Sequence, residues 1–442
     1  MLGVVLLLSS LIFYIRGNIK VSLLLYISFV SSGLGFLPNE IIGAKNTDLA
    51  IIYLCFVCLV NLTKHKHYPL YTSPVITRTV WILSLFLFCS VLYSYFHYKF
   101  TFFQILQGGR ALFLFLSYFV VVKVSPKDVK WILEKLYYVT LIHSVLYIIQ
   151  VFTNLPVLPN SIGGSDGVAG IARYYNFPHF LSLFIFFVIL SPNYLNVRYK
   201  SIAKFIFLIA LICTLGRTYI ILSLTCLMIG LLLDGKISKI ASGLLVISIC
   251  LLPLADSIVD RFDKKGNSKG DLEEIISGEF VDNAKNGVRT SETTMSYRFS
   301  WIAERVIYLE DRPFGENFFG LGLISDSQSK IVSKYYNFKL GNYNPQIQER
   351  TQLQTADIAY GTLLSKFGYG GSVIVLFLWC YITVFLFKRR NAHPAVYCIS
   401  LELVNMIICS FSGSSIADMG NFVLPFLALA IIYYKNTYGI YE

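Results

Sequence analysis

The chain has 442 residues, of which 55% are hydrophobic, 16% aromatic and only 14% charged. A soluble domain carries about 25% charge, and here many apolar runs approach the 18 or so residues that cross a bilayer. A polytopic membrane protein is expected, and a soluble core is argued against. The net charge of +12 is spread over the connections between apolar runs, with no basic patch on a soluble domain, which argues against a nucleic-acid partner.

The first run, MLGVVLLLSSLIFYIRGN, has the apolar core of a signal peptide but no positive leading region, and Arg16 stands on its far side. A retained first span is expected. Further candidate spans follow at about 21–37, 48–62, 79–96, 101–122, 131–153, 178–191, 203–216, 218–233, 239–258, 369–387, 395–411 and 418–434. The fold class expected is therefore an all-α polytopic bundle of about 12–14 transmembrane helices.

Alternate connections are rich in Lys and Arg: Arg16 and Lys20; Lys64, Lys66 and Arg78; Lys123, Lys127 and Lys130; Arg198, Lys200 and Lys204; Lys236 and Lys239; Lys388, Arg389 and Arg390; and Lys435. The intervening short connections hold only Lys45, Lys99, Arg173 and Arg217. The positive-inside rule places the first set in the cytoplasm and the second outside. The large polar segment between spans ten and eleven then lies outside. It divides the chain into an N-terminal bundle (1–258), an external loop (259–356) and a C-terminal part (357–442).

That loop is nearly neutral, with thirteen Lys and Arg against fourteen Asp and Glu. Within it, Tyr297 to Gly322 reads YRFSWIAERVIYLEDRPFGENFFGLG. A helix ending near Pro313 and a Gly-rich turn are expected. Phe299, Ile302, Val306 and Leu309 form one stripe, with Arg298 and Arg305 on a common flank. The nine cysteines all lie in apolar runs, so the loop carries no disulfide framework. Cys55-x-x-Cys58, with no His or Cys beside it, reads as packing. No internal repeat and no P-loop is present.

Several side chains put charge where charge is costly. Arg217 stands between two apolar runs with almost no loop, so it either fixes a phosphate with its planar fork or snorkels to the interface. Arg173, in ARYYNFPHF with Tyr174, Tyr175, Asn176 and His179, suits a sugar or phosphate shelf, or an aromatic belt with one anchor. Arg298, Arg305 and Arg312 offer cations to an anionic ligand, or pair with Glu304 and Glu310. Arg110 follows two glycines in a span, where a structural pairing with Glu134 or Glu402 competes with a ligand role. Asp357 opens DIAYGTLLSKFGYGG, read as an amphipathic outer-surface helix broken at Gly368 and Gly370–Gly371; its carboxylate suits an N-cap or a general base. His179 alone does not make a metal site.

These pieces, LGRTYI, then YRFSWIAERVIYLEDRPFGENFFGLG, then DIAYGTLLSKFGYGG, resemble the O-antigen polymerase and O-antigen ligase superfamily. Arg298 and Trp301 match its R-x-x-W, and Asp311, Pro313, Gly315, Gly320 and Gly322 match its acidic-x-Pro-x-Gly turn. ARYYNFPHF is similar to its Arg–aromatic–Asn/Pro stretch. The resemblance covers Arg173 to Gly371 in motifs and the rest in hydropathy. It implies a metal-independent, cofactor-free glycosyltransferase, similar in fold to the GT-C-type membrane enzymes, at the outer face of a bacterial inner membrane. Its substrates would be undecaprenyl-diphosphate-linked glycans, and its partners membrane lipids, a chain-length regulator and a flippase for lipid-linked sugars. Arg217, Arg298 and Arg173 would hold the diphosphate, with Arg305, Arg312, Arg110, His179 and Tyr297 as secondary candidates and Asp357 as the base. The ligase pattern has a histidine where Asp357 stands, which favours polymerase over ligase. A flippase or transporter is the alternative outside the enzymes.

Overall fold

The computed structural model describes residues 2–37, 40–41, 44–63, 73–159, 161, 163–168, 171–235, 275–286, 294–323, 343–344, 349–350 and 358–438. The expected span at 239–258 and Asp357 lie outside the described residues.

The described chain is mostly helical. In order, the helices are α1 (Leu2–Ile15), α2 (Ile19–Val30), α3 (Asn46–Thr63), α4 (Pro74–Phe96), α5 (Phe102–Gly109), α6 (Tyr118–Val121), α7 (Pro126–Thr153), α8 (Leu181–Leu190), α9 (Lys200–Cys213) and α10 (Arg217–Leu233). After these come α11 (Glu279–Asn286), α12 (Thr294–Glu310), α13 (Phe314–Phe319), α14 (Ala359–Lys388), α15 (Pro394–Cys409) and α16 (Val423–Tyr438). Three antiparallel two-stranded hairpins are the only sheets among the described residues.

Four stretches are long and apolar enough to cross a membrane: Pro74–Phe96, Phe102–Val121, Pro126–Thr153 and Ala359–Lys388. Shorter apolar helices coincide with most of the other expected spans. The stretch 102–121 is not one α-helix, since a 3₁₀ segment (Arg110–Ser117) joins α5 to α6. On α4, Trp81, Leu85, Phe88, Leu92 and Phe96 are all exposed and recur at helical spacing, so they form one apolar outer stripe. Such a face suits lipid, while Ile76, Val80, Leu83 and Leu87 of the same helix are buried in the bundle.

One expectation is corrected at α14. The segment after Asp357 is not an amphipathic surface helix. Ala359, Gly361, Leu363, Ser365, Phe367 and Gly368 are all buried, because this half packs under α12 and α13 and beside α15. The expected break does occur at Gly368, with φ 57° and ψ −159° inside α14.

Candidate functional site

α12 is seated through a face that differs from the expected stripe. Trp301, Arg305 and Leu309, four residues apart, have no exposure at all, whereas Phe299, Ile302 and Val306 are only half-buried. The seat for Trp301 is Gly361 of α14: a Cβ there would lie 1.9 Å from Cζ3 of the indole. Ile358 and the half-buried Tyr297, Ile302 and Tyr360 complete the same cluster.

Burial of Arg305 is what the apolar reading of α12 could not anticipate. Its guanidinium carbon lies 3.7 Å from the centroid of the Trp301 ring. Its Nη1 donates to the Trp301 carbonyl at 3.0 Å and to Glu304 Oε2 at 2.8 Å. Stacking, hydrogen bonds and a carboxylate together replace lost water, which a planar delocalised cation tolerates better than an ammonium. Arg305 is thus a buried brace between Trp301 and Glu304, not an arm on an open flank. Arg298, seven residues earlier, is half-buried.

The turn after α12 contains a second short helix, α13, in place of the expected Gly-rich turn alone. Phe319 stacks on Phe86 and Tyr93 of α4, with ring centroids 5.3 and 4.9 Å apart. Gly320 and Gly368 both have positive φ and meet backbone to backbone; a Cβ on Gly368 would lie 2.4 Å from the Asn317 carbonyl and 2.5 Å from the Gly320 nitrogen. Leu321 N donates to Ser365 O at 2.9 Å, Leu323 N to Ser94 Oγ at 3.0 Å, and Tyr98 Oη to Gly320 O at 2.9 Å. Arg312 is at the surface, over Tyr308 at 4.4 Å and 3.9 Å from Glu316.

Arg217 is the first residue of α10 and half-buried. α10 packs on α15 and α8. Two residues on, Tyr219 Oη lies 3.0 Å from Ser182 Oγ of α8, and Ser182 Oγ donates to Glu402 Oε1 of α15 at 2.9 Å. Asn405 Nδ2 donates to Ser223 Oγ at 3.2 Å and Cys409 Sγ to Asn405 Oδ1 at 3.3 Å. This polar column between three apolar helices is absent from the expected site. Its signal was present, since Glu402 is the one carboxylate in its apolar run and intramembrane carboxylates are functional candidates by default.

Arg110 is paired, but not with Glu134 or Glu402. Its Nη1 lies 2.6 Å from Oδ1 of Asp48 at the start of α3. Glu134 instead accepts from Asn196 N at 2.9 Å. Around Arg173 the expected shelf shrinks. The guanidinium lies 4.8 Å from the ring centroid of the exposed Tyr175. Asn176, however, is committed inward: its Oδ1 accepts from Gln150 at 3.0 Å and its Nδ2 donates to Pro159 O and Ser161 Oγ. His179 is half-buried and its carbonyl accepts from Thr140 Oγ1 at 3.1 Å.

The two regions share supports. α12 packs on α14, α14 on α15, and α15 on α10. Ala359 N donates to Ser410 O at 3.1 Å and Tyr360 Oη to Ile407 O at 2.9 Å, so the N-terminal end of α14 is tied to the C-terminal end of α15. Among the described residues, no group of three or more His, Cys, Asp and Glu side chains could hold a metal ion. Compared with known proteins, the chain matches no family model and no curated protein.

Proposed function

We propose that this chain is a membrane-embedded glycan polymerase of the O-antigen polymerase type. It transfers a growing chain from undecaprenyl diphosphate to the sugar of an incoming lipid-linked repeat unit at the outer face of a bacterial inner membrane. One observation carries the reading. Two of the separate pieces of the resemblance meet in one packed unit: Trp301 of the R-x-x-W sits on Gly361 of the helix after the loop, and Gly320 of the turn sits on Gly368. Short motifs more than forty residues apart in the sequence gain weight when they complete one another in space.

The chemistry follows from charge. A leaving diphosphate gathers negative charge in the transition state, and preorganised cations stabilise it most. Arg298, half-buried on the helix that Trp301 anchors, and Arg217, opening α10, are the cations for that role, with Arg173 a third. Arg305 is assigned to holding Trp301, and Arg312 to the surface. The thirteen-span topology and the similarity to GT-C-type enzymes belong to this reading.

Arg217→Ala and Arg298→Ala are expected to leave lipid-linked single repeats unpolymerised. Normal long chains in either variant, at normal protein levels, would refute the diphosphate role. A deletion strain separates the related activities: loss of a polymerase leaves core plus one repeat unit, loss of a ligase leaves bare core. Elongation of lipid-linked repeats by the purified protein, without a membrane gradient, separates an enzyme from a transporter.

A further inference from the structure

Glycosyl transfer to a hydroxyl releases a proton, and a buried polar column leads from Tyr219, in the first turn of α10, to Glu402 of α15. Glu402 is 6% exposed. It sits seven residues before the end of α15, roughly 10 Å along the helix, and among the described residues its contacts are uncharged. Oε1 accepts from Ser182 Oγ, Oε2 is buried, and the Asn405 side chain lies beside the carboxyl. With the Ser182 proton directed at Glu402, Ser182 Oγ is left to accept from Tyr219 Oη. The hydrogen bonds then run one way, Tyr219 to Ser182 to Glu402. Tyr219 is half-buried in the first turn of α10, and its ring lies 5.6 Å from that of Phe177, which is exposed. Tyr219 follows Arg217 by two residues in the same first turn of α10, so the two side chains leave the helix on different faces.

We propose that Glu402 is the terminal proton acceptor of the transfer reaction, reached from the acceptor sugar through Tyr219 and Ser182. This rests on the polymerase reading above. As the acceptor hydroxyl oxygen bonds to the donor's anomeric carbon, its proton passes to Tyr219 Oη. The Tyr219 proton passes to Ser182 Oγ, and the Ser182 proton to Glu402 Oε1. The bond from the anomeric carbon to the diphosphate oxygen breaks, and its electron pair leaves with the diphosphate. Once product departs, the proton returns outward by the same three groups.

Few other titratable groups compete for it. From α10, Tyr219 and Cys226 face Glu402, and Cys409 lies on α15 itself. α8 contributes no ionisable side chain. Tyr360 of α14 bonds to α15 nearer its C-terminal end. Lys435 of α16 and Lys130 act on His393, at the opposite end of α15.

The test uses the full-length purified protein and lipid-linked repeat units extracted from its own deletion strain. Glu402→Gln keeps the shape and an oxygen for Ser182 but accepts no proton. Tyr219→Phe keeps the ring and removes the relay. Both are expected to lose about 100-fold or more in kcat, as for a lost general base, with KM for the lipid-linked substrate nearly unchanged. The fall in wild-type rate at acidic pH is expected to vanish in Glu402→Gln and to persist, at reduced rate, in Glu402→Asp. A near-wild-type rate in either Glu402→Gln or Tyr219→Phe overturns the proposal. So does loss of the acidic limb in Asp357→Asn together with its retention in Glu402→Gln. If the wild-type protein elongates nothing, the polymerase reading fails and this inference falls with it; if wild type elongates and Glu402→Gln matches it, only the relay fails.

Discussion

Gly361→Ala is a one-carbon change with a large expected effect. The new Cβ would lie 1.9 Å from Cζ3 and 2.5 Å from Cε3 of Trp301. Carbon atoms rest at roughly 3.5–4.0 Å from one another, so the indole, or the first half of α14, must move by roughly 1.5–2 Å. Neither is free to do so. Trp301 has no exposure, Ile358 packs against it, and Arg305 stacks on it while hydrogen-bonded to its carbonyl. Overpacking of this kind costs about 1–3 kcal/mol. Trp301→Phe alone should cost part of the about 3–5 kcal/mol of full truncation, but it deletes the ring atoms that collide. The double variant should therefore be more stable than the sum of the singles, by about 1 kcal/mol or more, as for residues in contact. Apparent Tm of the detergent-solubilised variants, with limited trypsin cleavage reporting on α12, measures this cycle. Wild-type Tm for Gly361→Ala, or additive shifts in the double variant, would refute the seating of α12 on α14.

Three further outcomes are expected. Asp48→Ala should lower Tm more than Asp48→Ala combined with Arg110→Gln, because removing one partner strands a cation that is only one-fifth exposed; the difference should be about 1–2 kcal/mol, below the 3–5 of fully buried pairs. Arg312→Ala should change stability by no more than about 0.5 kcal/mol, as for a surface pair, and should leave polymer length normal, in contrast to Arg298→Ala. His393, which caps α15 by accepting from Ala395 N at 3.2 Å, is held down to about 4 by burial, with Lys130 and Lys435 adding repulsion. A group whose folded value is depressed stabilises above its unfolded value, so Tm should fall as pH drops from about 6.5 to about 4, and His393→Asn should lose that part of the dependence.

Apolar runs made most of the bundle legible, since a helix end in lipid needs only a polar interruption. The ends of α4, α7 and α10 lie within a few residues of the expected spans. Partners across the bundle were not legible. Arg110 meets Asp48, sixty-two residues earlier, and nothing near either residue announces the other. α12 misled for a different reason. Residue type alone puts its stripe at Phe299, Ile302, Val306 and Leu309, yet the buried face centres on Arg305, because a guanidinium stacked on an indole counts as core although its residue type counts as surface. Likewise Ala359–Gly368 reads as amphipathic because its two glycines, Thr362 and Ser365 are small and weakly apolar. Their size is what lets Trp301 and the Gly320 backbone approach, so they are buried by what they admit.

The separation of the two cations assigned to the diphosphate depends on helices that carry neither. Arg298 is borne by α12, which rests on the first half of α14, and Arg217 by α10, which rests on α15. α14 and α15 are joined where these supports converge, through Ala359 N to Ser410 O and Tyr360 Oη to Ile407 O, with the Tyr360 and Phe411 ring centroids 4.5 Å apart. Gly368 breaks the helical path of α14 just beyond this joint. The half of α14 that seats α12 can therefore be oriented independently of the long apolar half that follows. If the proposed diphosphate site works by electrostatic preorganisation, that is a physical reason for a glycine break between the long apolar half of α14 and the half that seats α12: lipid packing would set one segment, and the spacing of Arg298 and Arg217 the other.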